Sequence, residues 1–193
     1  MTPDDAGIRS DSPGVPQPAY TAPVMDPEPM RLALKRLGLL HEGEEATLTP
    51  LTGGIASDIW KVDLPRRTVC IKRALHRLKV KADWFVPIER NQYEWLYYEI
   101  ADRAAPGAAP RILARDTEMY LFVMEYLEPQ HYPLWKLELH DGLADSCFAA
   151  QVGRRLGTIH SYTASHRDIA DQFPTDAIFY ASRMESYLEA AAR

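Results

Sequence analysis

The chain has 193 residues, room for one ordinary domain or for a small lobe with part of another, and its 46% apolar content supports a packed core. A net charge of −5 makes the chain as a whole a poor electrostatic match for nucleic acid. Cys70 and Cys147 lie far apart and belong to no C-x-x-C pair, which argues against a disulfide framework or a zinc site and fits a reducing, cytoplasmic setting.

Residues 1 to 28 hold Pro3, Pro13, Pro16, Pro18, Pro23 and Pro27 and few large apolar groups. Such a leader buries too little surface to offset its ordering entropy, so it is expected to be disordered. It carries Asp4 and Asp5 and no apolar block, unlike a secretory signal. No later run approaches the roughly 18 apolar residues of a membrane span, so a membrane is not an expected partner.

Folded structure is expected from about Pro29. Met30, Ala33, Leu34 and Leu37 fall at helical spacing, with Gly38 as the C-terminal cap. Strands are predicted at about 46–52, 57–64, 68–75, 111–115 and 119–126. One helix interrupts them at about 88–104, with Tyr93, Leu96, Tyr97, Ile100 and Ala104 as its apolar stripe and Glu94 on the flank. Past Pro129 the pattern turns helical. Phe148, Val152, Leu156, Ile159 and Thr163 share one face, with Asp145 or Ser146 as cap. A last helix is predicted from Thr175, striped by Ala177, Tyr180, Met184, Tyr187, Leu188 and Ala191. The class is therefore α+β: a five-stranded antiparallel sheet with one helix, followed by a partial helical lobe.

Four places bear chemistry. Gly53 and Gly54 sit at a bend between strands, where backbone amides can approach an anion, and Ser57 adds a hydroxyl. The same pair also fits a plain hairpin turn. Alternation along Val69-Cys70-Ile71-Lys72 puts Cys70 and Lys72 on one face. A lysine on a buried face needs an anion, for which a phosphate or Glu94 serves; at a strand end it can equally snorkel to water. Glu94, preferred over Glu89 and Glu99 because it borders the stripe, has a solvated helix charge as its alternative. Met124, Glu125 and Leu127 close an apolar strand, where backbone groups can bond a flat heterocycle or simply end a strand. The histidines show no ligand spacing, and the basic run from Lys72 to Lys81 beside Trp84 and Phe85 matches no nucleic-acid motif.

The order of these pieces carries a resemblance. From about 50 to 193 the chain resembles the aminoglycoside phosphotransferase family, in the wider group of choline kinases, methylthioribose kinases and eukaryotic protein kinases. Val69-Cys70-Ile71-Lys72 resembles V-A-I-K, with Cys70 in place of the alanine that lines the adenine pocket. Ile88 to Glu94 resembles the start of the helix whose glutamate pairs with that lysine, and Met124 to Leu127 resembles the hinge. Gly153-Arg154-Arg155-Leu156-Gly157-Thr158-Ile159-His160 is similar to the family's G-x-x-L-G-x-x-H helix.

The resemblance implies a protein-kinase-like fold, with an ATP-binding small lobe at 29–127 and a partial helical lobe at 128–193. It implies ATP contacts from Gly53, Gly54, Ser57, Val62, Cys70, Lys72, Glu94, Met124, Glu125 and Leu127. A complete member would add Mg2+ and a small-molecule hydroxyl acceptor. Two departures stand out: the G-x-G-x-x-G spacing is absent, and nothing after His160 matches H-G-D-x-x-x-x-N or a D-F-G-like motif. His140-Asp141-Gly142 precedes the Gly153–His160 helix and has no asparagine five residues past its aspartate. The expectation is a family member that stops before its catalytic loop and is inactive alone, with possible self-association through the C-terminal helix. The alternatives are a non-catalytic nucleotide-binding or scaffolding module and a non-functional fragment.

Overall fold

The computed structural model describes residues 26–189 except 52, 53 and 82, together with residue 192. The proline-rich leader up to residue 25 and the candidate Gly53 lie outside the described residues. Helix α1 spans Glu28–Arg36, with Glu28 in its first turn and Lys35 and Arg36 in its last, matching the helix dipole. It ends in a Schellman motif. Gly38 turns left-handed at φ 67°, its amide bonds the Lys35 carbonyl, and the Leu39 amide bonds the Leu34 carbonyl.

Strands β1 (Thr47–Leu51), β2 (Ser57–Leu64), β3 (Arg67–Ala74), β4 (Ile112–Asp116) and β5 (Leu121–Glu125) form one antiparallel sheet in the order β1-β2-β3-β5-β4. Pro50 sits on edge strand β1, where its missing N–H costs no central ladder bond. The sheet buries Trp60, Val62, Val69, Ile71, Leu121 and Val123 against Met30, Ala33 and Leu34 of α1. This is the principal core. Arg36 ties the end of α1 to the β4–β5 turn through Glu118 (2.5 Å) and Asp116 (3.6 Å).

Helix α2, Arg90–Ala104, covers the other face of the sheet. Its inward residues differ from the predicted stripe: Asn91, Ile100 and Ala101 are buried, whereas Tyr97 is exposed. The reason is that α2 packs on two sides. Glu94 and Tyr98 face the sheet, and Ala101 and Ala105 pack on Ile159 of a later helix. A helix with two contact faces gives no single apolar stripe.

The helical part comprises α3 (Trp135–His140), α4 (Ser146–Ser165), α5 (Arg167–Asp171) and α6 (Asp176–Phe179). Asp145 caps α4 as expected, accepting from the amides of Cys147 (2.8 Å) and Phe148 (3.2 Å). The two short helices α3 and α5 hold too few residues for a period to register. The expected last helix is corrected: among the described residues past Thr175, Asp176–Phe179 is α-helical and Tyr180–Glu189 winds as a π-helix, while Ala191 of the predicted stripe lies outside the described residues. That wider winding breaks the predicted α-spaced stripe, and Tyr180, Tyr187 and Leu188 all remain exposed. Among the described residues, no helix is long and apolar enough to cross a membrane.

Candidate functional site

Alternation in β3 sends Val69 and Ile71 into the α1 core and Cys70 and Lys72 to the α2 face. There the Lys72 ammonium bonds the Glu94 carboxylate directly. Tyr98, one turn along α2, donates its hydroxyl to the same Glu94 oxygen at 3.3 Å and sets its ring edge-on to Phe122. Burial, and after it the neighbouring Glu94 charge, raises the Tyr98 hydroxyl well above the usual phenol range. The donor role of Tyr98 is therefore fixed at any physiological pH. Of the other acids considered for Lys72, Glu99 is taken by Arg115 at 2.9 Å.

Lys72 and Glu94 open onto a cavity of about 450 Å³. The loop residues Ile55 to Ser57 line it together with Trp84 and, from much later in the chain, Ile178, Ser182, Arg183 and Tyr187. Ser57, Lys72 and Glu94 are thus brought together. Cys70 and Met124 oppose each other in register farther along the same sheet face. Burial pushes the Cys70 thiol up to about 11, with Lys72 pulling weakly the other way, so it stands there as a neutral group.

One predicted contact is corrected. Val62 pairs with Val69 and is fully buried in the α1 core, on the face opposite Lys72. The β2 residue beside Lys72 is Ile59. A one-residue offset in a strand reverses the face, which is why the motif position alone misassigned it. Glu125 also pairs with Val69, and its amide donates to the Arg111 carbonyl at 3.0 Å while its carboxylate accepts from the Arg111 amide at 3.0 Å. Its amide is therefore unavailable to a heterocycle. Leu127 follows β5 as half-buried chain. Gly54 needs no unusual backbone; a Cβ there would sit 3.4 Å from Ile59 Cδ1 and from the Ser57 carbonyl oxygen.

Two residues not singled out from sequence organise the site. The Arg90 guanidinium donates to the carbonyls of Ala56 (2.5 Å), Leu75 (2.5 Å), Pro87 (2.9 Å) and Val86 (3.3 Å). It pins the loop after Gly54 to the end of β3 and to the entry of α2. Burial lowers its pKa, with Glu94 and Glu89 acting in the opposite sense. Its position one turn before Glu94 was the available signal. Asp58, also buried, binds Arg73 and Lys79, each at 2.9 Å. With Arg77 on Asp83 at 2.8 Å, much of the basic run is spent on ion pairs within the fold.

The site holds cations, a hydroxyl and a serine-flanked loop, so it can receive an anion. It does not offer a divalent-metal cage: among the described residues no cluster of three or more His, Cys, Asp or Glu could hold an ion, and Glu94 is engaged with Lys72. The chain matches no protein-family model, and none of the curated proteins matches it.

Proposed function

We propose that residues 29–127 are a nucleotide-holding small lobe of the protein-kinase type, related to the aminoglycoside phosphotransferases, with ATP as ligand. The observation that carries the reading is the Lys72–Glu94 pair at the wall of a cavity, beside the Ile55–Ser57 loop. The pair is partly buried, and such a pair adds little stability over packed apolar residues, so its presence beside open space favours a ligand role. Glu94, itself bonded by the Tyr98 hydroxyl, holds the ammonium in place, and Lys72 meets the α- and β-phosphates. Ser57 lies within the same cavity. The same sheet face continues through Cys70 to Met124, an apolar surface for the adenine.

Phosphoryl transfer depends on positioning and on charge stabilisation by metal-bound carboxylates. The residues present do not fit Mg2+, and the 193 residues contain no H-G-D-x-x-x-x-N. The reading therefore assigns these residues nucleotide binding and not turnover, transfer to a small-molecule hydroxyl being the activity of the aminoglycoside phosphotransferases they resemble. Titration calorimetry with ATP tests it. Lys72→Met is expected to weaken binding by about tenfold or more, the worth of one charged hydrogen bond. Unchanged affinity in Lys72→Met would refute the site. Magnesium-dependent phosphorylation of kanamycin or choline, abolished by Lys72→Met, would refute the non-catalytic assignment.

A further inference from the structure

The cavity beside Lys72 is completed from the far end of the chain. Ile178, Ser182, Arg183 and Tyr187 form its outer wall. This segment is moored to the small lobe at Trp84. The indole N–H donates to the Ala181 carbonyl at 3.3 Å, and the indole ring meets Tyr187 edge-on at 5.8 Å between centroids. The Arg183 guanidinium donates to the Ser182 carbonyl at 2.9 Å and lies 5.9 Å from the Tyr187 ring centroid.

Charge makes this wall informative. The cavity is lined by three cations, Lys72, Arg90 and Arg183, against one carboxylate, Glu94. Lys72 is paired with that carboxylate, and Arg90 gives its protons to carbonyl oxygens. Arg183 bonds a carbonyl as well. The lining thus carries more positive charge than its own carboxylate neutralises, and Arg183 is the part of that excess that arrives on a separate, lightly moored segment.

We propose that the 178–187 segment closes on the phosphate end of a bound nucleotide, with Arg183 as its anion contact and Trp84 as its mooring. The inference rests on the nucleotide reading and adds a second side to the site. Ligand and segment then stabilise each other: a phosphate chain links Lys72 to Arg183, and neutral ligands leave the segment as it is.

Hydrogen exchange of the full chain, with and without saturating ATP or adenosine, reads this directly. ATP is expected to slow exchange of the 178–187 amides about tenfold, and adenosine to leave them unchanged. Arg183→Gln should remove that protection and weaken ATP binding by about fivefold to tenfold, while adenosine affinity and far-ultraviolet circular dichroism stay the same. Arg183→Lys should restore part of the loss. Faster exchange with ATP would show a wall that blocks the site, and overturn the proposal. So would an unchanged exchange rate, or an Arg183→Gln protein that binds ATP normally while Lys72→Met does not; either result leaves the nucleotide reading standing. Absence of ATP binding in the unaltered chain would remove both.

Discussion

The sheet with α1 and the helical part after Pro129 use their apolar residues in opposite ways. In the first, Met30, Leu34, Val62, Val69, Ile71, Leu121 and Val123 are all fully buried in one cluster. In the second, α4 runs for 20 residues with Ile159 as its buried residue. Leu134, Leu137, Leu143, Phe148 and Leu156 stay exposed there, as do Phe179, Tyr187 and Leu188 nearer the C-terminus. The sheet and α1 satisfy each other, since a two-layer unit needs one helix per covered face. The later part of the chain meets the rest of the molecule around Ala101, Ala105 and Ile159, with further contacts from Phe173 to Tyr93 and from Tyr187 to Trp84. Apolar surface exposed to this extent favours association with another surface.

The comparison breaks most easily at its cores. Leu34→Ala empties a fully buried site and should lower stability by about 2–5 kcal/mol in urea unfolding. Leu156→Ala, at a position 44% exposed, should change it by less than about 0.5 kcal/mol. Comparable losses from both substitutions would mean that the helical part is as well packed as the sheet.

The two cysteines sharpen the contrast, because Cys70 lies in the sheet and is buried while Cys147 opens α4 and is exposed. A thiol reagent at pH 8 should label Cys147 promptly and Cys70 only on unfolding. Burial raises the folded Cys70 pKa from 9.0 to about 11. The unfolded thiol therefore ionises first, so stability holds below pH 9 and declines between pH 9 and 11, by up to about 2 kcal/mol. Cys70→Ala should lose that part of the decline. An identical pH profile in Cys70→Ala would place the thiol in contact with water.

The smallest effect separates fold from site within the small lobe. Gly54→Ala introduces a Cβ at ordinary contact distance and should alter stability by no more than about 1 kcal/mol, with either sign. If the loop approaches phosphate, the same change weakens ATP binding. A large loss of stability would instead make Gly54 a structural requirement.

Much of the fold was legible in the residues themselves. Alternation placed Cys70 and Lys72 on one face, Gly38 marked the end of α1, Asp145 marked the start of α4, and strand spacing gave the five strands within a residue or two. These are local consequences of backbone geometry, where side-chain direction repeats every two or 3.6 residues. The choice of Glu94 over Glu99 was also legible, from its place beside an apolar stripe, although that stripe itself was misread.

Tertiary structure alone decided what depends on neighbours distant in sequence. Whether β2 offers Val62 or Ile59 to the site follows from register against β3. Arg90 becomes a clasp because Ala56, Leu75, Val86 and Pro87 turn four carbonyls toward one point. Arg183 joins Lys72 because the chain returns across Trp84. Local sequence sets the direction in which a side chain leaves its own element; only packing sets what it meets there.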